Sequence, residues 1–132
     1  MIAALELQAA VVAHLLADAD LAALVGDRIH DSAPRAAAFP SVTFGETGQA
    51  DWSSDNEAGG EVRLSLHVWS RGVGKREAWT VIGHLMRLLH DAPLSLEAHA
   101  LVLLRVTFAE VRLDPDGLTE HGVVRVAALV ED

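Results

Sequence analysis

The chain contains no cysteine and no tyrosine, and only 5% of its 132 residues are aromatic. Without cysteine, disulfides and thiolate metal sites are excluded. Scarce aromatics leave an aliphatic core built from Ala, Leu and Val, against which Trp52, Trp69 and Trp79 stand out. Positive charge is also scarce: 10 Lys and Arg face 19 Asp and Glu, for a formal net charge of −9. That balance opposes broad binding to a phosphate backbone, which needs cationic neutralisation, and no dense Lys/Arg run offsets it. No apolar run reaches the ~18 residues of a membrane span. The amino terminus has no basic segment ahead of its apolar stretch. A signal peptide is therefore not expected, and the protein is expected to be soluble and cytoplasmic when made.

Against these absences stands a hydrophobic content of 51%. It is enough for one domain over residues 1–132. The organising stretch is residues 61–91. Val62, Leu64, Leu66 and Val68 alternate with Arg63, Ser65, His67 and Trp69, the period of a half-buried strand. After the Gly72-Val73-Gly74 link the period changes. Trp79, Ile82, Met86 and Leu89 recur at steps of three and four, as on one side of a helix, with Glu77, Thr80, His84, Arg87 and Asp91 opposite.

The same periods order the rest of the chain. Ile2, Leu5, Ala9, Val12 and Leu16 predict a first amphipathic helix ending near Asp18, with Leu7 and Val11 off its core stripe. Asp20 is read as the N-cap of a short helix through Val25, and Gly26 as its C-terminal cap. Residues 28–30 predict a brief strand, and residues 40–46 a longer one with Val42 and Phe44 on one face. Residues 47–60 are polar and rich in Gly, Ser and Asp, a long loop or hairpin tip carrying Trp52 and expected to be mobile in the isolated subunit. Residues 94–96 predict a short strand. Residues 101–113 predict a long strand whose parity slips between Phe108 and Val111, so a β-bulge is expected near Ala109 or Glu110. Asp114-Pro115-Asp116-Gly117 is a turn. Residues 119–130 form the last strand, with Val124, Val126, Ala128 and Val130 inward. The expected fold is α+β: a mixed, mainly antiparallel sheet with two main helices on one face and a long C-terminal hairpin.

Catalytic patterns are missing. The seven histidines include no one-turn H-x-x-x-H pair. Asp51, Asp55 and Glu57 invite a calcium loop, yet Asn56 and Val62 stand where an EF-hand needs Gly and Glu. Neither G-x-S-x-G nor a P-loop lysine motif occurs. Gly72 and Gly74 lack a third glycine at dinucleotide spacing, where Glu77 stands instead. No catalytic residue, cofactor or metal is expected, and no enzyme class gains support.

Several short pieces in fixed order carry a resemblance. They are Leu21-Ala22-Ala23-Leu24-Val25-Gly26-Asp27-Arg28-Ile29, Phe39-Pro40-Ser41-Val42-Thr43-Phe44-Gly45, Asp51-Trp52-Ser53, His67-Val68-Trp69-Ser70-Arg71, Leu89-His90-Asp91, Asp116-Gly117 and His121-Gly122. Together they resemble the tail terminator, or tail-completion, family of long-tailed bacteriophages, prophages and gene transfer agents. That resemblance implies a structural protein. Six copies would form a homo-hexameric ring that stops tube growth, touching the tail tube protein on one side and the head-side neck or stopper protein on the other. DNA would pass through the lumen without specific binding, no membrane would be involved, and the protein would move from the cytoplasm into the particle. Another neck or tube protein of such a particle, or a small-molecule-binding α+β domain, is the alternative. Trp52, Asp51 and Asp55 in the loop, with Leu7 and Val11 on the first helix, are the expected subunit or partner contacts.

Overall fold

A computed structural model describes residues 2–53 and 58–132. In chain order the elements are α1 (Ala3–Leu16), α2 (Ala19–Val25), β1 (Ile29–His30), β2 (Ser41–Asp51), β3 (Gly59–Ser70), α3 (Arg76–Leu89), β4 (Ala100–Leu113) and β5 (Glu120–Glu131). The strands form one sheet in the order β1-β2-β3-β5-β4. Among the described residues only the β1–β2 pair is parallel. The helices cover one face, so the fold is α+β with a mainly antiparallel sheet and a long β4–β5 hairpin.

Strong alternation places β3 and β5 as expected. Val62, Leu64, Leu66 and Val68 are buried, as are Val124, Val126, Ala128 and Val130. The two strands pair without a break from Gly59 opposite Glu131 to Ser70 opposite Glu120. Burying each such Val or Leu side chain contributes ~1.5–3 kcal/mol. In β2, Val42 and Phe44 are buried as predicted. The strand continues through Asp51, however, so residues 47–51 and 59–60 belong to paired strands, not to a loop. The turn at residues 114–117 is present, with Gly117 at φ +72°.

Three expectations fail on particular residues. Ile2, Leu5 and Leu16 are 58%, 62% and 43% exposed, while Ala3, Leu7, Val11 and Leu15 form the buried face of α1. This helix, AALELQAAVVAHLL, is apolar around most of its circumference, so periodicity alone did not choose its inward face. In α3 the buried side is Ala78, Val81, Ile82, Leu85, Leu88 and Leu89, and Trp79 and Met86 sit at its border, 45% and 40% exposed. In β4 the pairing shifts between Leu101 and Leu103 and again between Val106 and Phe108. The extra residues are therefore Val102 and Thr107, upstream of the expected bulge. Each insertion reverses the parity that follows it, turning Ala109 and Val111 toward the core.

Smaller corrections follow the same logic. Asp18, not Asp20, caps α2, accepting a hydrogen bond from the Leu21 N–H at 2.9 Å. Residues 94–96 are not a strand, although Leu94 and Leu96 pack on the core. Gly122 lets α3 lie close on the sheet, since a Cβ there would stand 2.9 Å from Ile82 Cδ1.

Candidate functional site

Four polar or exposed places stand out once the core is set aside. The first joins α1 to the segment before β4. Glu6 lies on the buried face of α1. Its carboxylate accepts from the Ala98 and His99 backbone N–H groups at 2.6 and 3.3 Å, and lies 2.8 Å from His99 Nδ1. The His99 bond, with the two backbone amides behind it, holds the Glu6 carboxyl below the usual range. His99 Nε2 lies 3.5 Å from Asp132. The arrangement satisfies a buried charge and ties α1 to the start of β4.

The second place is on the sheet face away from the helices. Trp69 and His121 are register partners, and their rings stack at 4.1 Å and 8°. His67 Nδ1 is 2.6 Å from His121 Nε2, and the Trp69 indole donates to Thr43 Oγ1 at 3.0 Å. Burial depresses the pKa of both histidines. Arg112 and Arg125 add to this at His67 while Glu46 opposes, and at His121 the neighbouring His67 and Arg112 add while Asp114 and Glu110 oppose. Gly45 makes room for the pair, because a Cβ there would overlap the His67 ring. Polar-face parity was legible for both histidines, but their pairing is a product of register.

The third place is a cleft of about 500 Å³ at the end of the sheet where β3 leaves and β5 begins. The Arg71 guanidinium lies over the Phe39 ring at 4.4 Å and donates to Thr119 Oγ1 at 3.1 Å. Asp116 accepts from the Leu118 and Thr119 N–H groups, both at 2.8 Å, and from Thr119 Oγ1 at 2.7 Å. Those bonds hold its carboxyl below the usual range. Chemically this is a braced hairpin turn.

The expected contact residues divide. Leu7 and Val11 are 0% and 1% exposed, so they are core and not subunit contacts. The helix turns the Leu7 and Val11 stripe, expected to meet a neighbour, toward the sheet. Asp51 and Trp52 do come together where β2 ends. Asp51 accepts from the Ser53 N–H at 2.9 Å and hydroxyl at 2.5 Å, which lowers its pKa. Trp52 is half-buried over Gly59, and its indole N–H has no partner among the described residues. Asp55 lies outside the described residues.

The fourth place was missed by sequence reasoning. Ile2, Leu5, Ala9 and Leu16 form an exposed apolar stripe on α1. A groove of about 500 Å³ beside it is floored by Leu5, Ala9, Ala10 and Leu96. The available signal was that only Glu6 and His14 along that helix can carry charge. Among the described residues no group of three or more His, Asp or Glu is placed to hold a metal, and no single helix is long and apolar enough to cross a membrane.

Comparison with known proteins gives three findings. The chain matches the family described as tail completion protein gp17 over residues 9–131. It is 27% identical over 88 residues to the tail completion protein gp17 of Bacillus phage SPP1, a match covering 67% of this chain and 65% of that relative, just under two thirds. A chain in the virion of a native gene transfer agent particle shares its fold with a TM-score of 0.90 and 30% identity, over 100% of both chains.

Proposed function

The chain belongs to the tail completion protein gp17 family, and from that premise we propose that it is a tail terminator. Copies of it form a ring, with six as the expected number, at the head-proximal end of a phage-type tail. The ring holds the tube at its final length and presents its other side to the head-side neck or stopper protein. Its contacts are with itself, the tail tube protein and that neck protein, and it carries out no catalysis. It assembles in the cytoplasm and ends in the particle. The observation that carries this reading is the end-to-end likeness to a chain of a gene transfer agent virion, at 30% identity and TM-score 0.90.

Charge agrees with the passage of DNA through such a ring. A chain at −9 repels phosphate at close range, over a screening distance of ~8 Å at physiological salt. DNA then slides through without adhering. Particle morphology decides the matter. Deleting the gene is expected to leave filled heads unjoined to tails, with tubes longer than normal, by electron microscopy. Normal joined particles in the deletion, or labelled protein at the distal tip, would overturn the reading.

A further inference from the structure

Resting on the ring reading above, we propose that the outer face of α1 is the seat for a neighbouring copy of this chain. The part seated there is the neighbour's loop of residues 71–76, with Val73 as the inserted side chain.

The seat is defined by what it lacks. Of the 14 residues of α1, only Glu6 and His14 can carry charge. Glu6 is turned inward to His99, and His14 is bonded to the Leu88 carbonyl at 2.9 Å. Apart from Gln8 at its edge, which donates to Asp31 Oδ1 at 3.1 Å, the outer face therefore shows apolar and small side chains in a chain of net charge −9. A helix that is apolar all round is normally covered. The few side chains involved fall short of the ~800 Å² per partner of a stable free complex. A contact of this size holds when it is repeated around a ring and on a template, where each further contact is intramolecular.

Charge selects the occupant. The groove beside α1 has Glu97 on its rim. Across the Glu6–His99 wall the next cleft holds Asp51 and Asp132. An apolar floor with an acidic rim calls for an apolar side chain between cations. Residues 71–76 read RGVGKR, three cations with no acid, and Val73 stands fully exposed between Gly72 and Gly74. Arg71 and Lys75 are engaged by Asp116 and Glu120. Arg76 has no ion-pair partner among the described residues. It opens α3, where a cation is disfavoured by the helix dipole, so a carboxylate from outside relieves it. Leu118 is 69% exposed, and Val102 and Leu113 are 53% each, but Leu113 and Leu118 flank a turn carrying Asp114 and Asp116, which the same rim repels, and Val102 lies within the paired strand β4. Seat and loop use different surfaces, as a head-to-tail ring contact requires.

The absence of native cysteine makes the test direct. Particles are assembled with a chain carrying Leu5→Cys and Val73→Cys, oxidised, and run on a non-reducing gel. A ladder of covalent multimers of this chain is expected, absent from each single variant and from Leu5→Cys with Leu118→Cys. In parallel, Arg76→Glu and Glu97→Lys are each expected to cause a several-fold loss of incorporation into tails, and the double exchange to restore it. Protein still at the head-proximal end with no ladder and no rescue would overturn the seat while leaving the ring reading intact. A cross-link to a different particle protein through Leu5→Cys would also overturn it. Absence of the wild-type protein from the head-proximal end would overturn both.

Discussion

Leu5 and Leu7 are two positions apart on α1 and meet opposite surroundings, 62% exposed against 0%. Leu7→Ala is expected to cost ~2–5 kcal/mol, from lost transfer energy and the cavity left behind. Leu5→Ala should stay within about 0.5 kcal/mol in the isolated subunit. Urea denaturation of the two variants checks this, and equal costs would mean that the helix faces the sheet otherwise. The His67–His121 pair gives a second prediction at this scale. Burial places both folded pKa values below the unfolded one, about 6.5 for histidine. The unfolded chain then binds more protons than the folded chain as pH falls through that value, so stability declines on acidification. Urea midpoints should fall between about pH 7 and about pH 5, and this slope should flatten in a His67→Gln, His121→Gln variant. Glu6, Asp18, Asp51 and Asp116 have lowered pKa values. Their contribution is present above the ordinary carboxylate range and is lost only as pH drops below about 4, a separate window. A slope unchanged in the double variant would remove the histidines from the explanation.

Among the elements, β4 is the exposed edge of the sheet and runs for 14 residues. Long edges invite unwanted pairing. Here the end of α3 covers the middle of that edge: the Asp91 N–H donates to the Leu104 carbonyl at 2.8 Å and the Val106 N–H to His90 Nδ1 at 3.1 Å. At the other edge, β1 covers Val42 and Thr43 of β2. Helix α3 also sets how tightly the two layers close. A Cβ at Gly122 would meet Ile82 Cδ1 at 2.9 Å and Val68 Cβ at 3.2 Å. Gly122→Val should therefore force α3 off β5 and destabilise by ~1–3 kcal/mol. Ile82→Val in the same chain should recover part of the loss, because it removes the methyl nearest the new side chain. Denaturation of the single and double variants measures both effects, and additive losses would contradict this packing.

At the scale of the whole molecule one core runs without interruption from Leu7 and Leu15 on α1, through Leu64 and Leu66 on β3, to Ile82 and Leu85 on α3 and Leu104 on β4. Among the described residues no helix has a separate core of its own. Unfolding should be a single cooperative transition. Near-ultraviolet circular dichroism, which follows the tryptophans, should then coincide with the far-ultraviolet signal. Trp69 sits on the sheet and Trp79 on α3, so the two layers are both reported. Two separated midpoints would show that the helical layer melts on its own.

Contrast between faces separates what was legible from what was not. In β3 and β5, apolar residues alternate with Arg63, His67, His121 and Arg125, so the sequence alone determined which face turns inward. The turn at residues 114–117 and the cap at Gly26 were legible because their chemistry is local. Pattern and order of pieces along the chain also pointed to the family. On α1 both stripes are apolar, and nothing in the sequence distinguished Leu5 from Leu7. Only the tertiary arrangement decided between them, through β3 and α3 packing against one side. The parity slip after Phe108 made a bulge in β4 legible, but its place at Thr107 and the second bulge at Val102 were hidden, since an extra residue is defined by the partner strand it fails to match. The stacked His121 and Trp69 lie far apart in sequence and meet through the β3–β5 register. The exposed α1 stripe became visible as a surface in the same way: hydrophobicity supplies the drive to bury, and the position of neighbouring elements decides which apolar side chains are left for a partner.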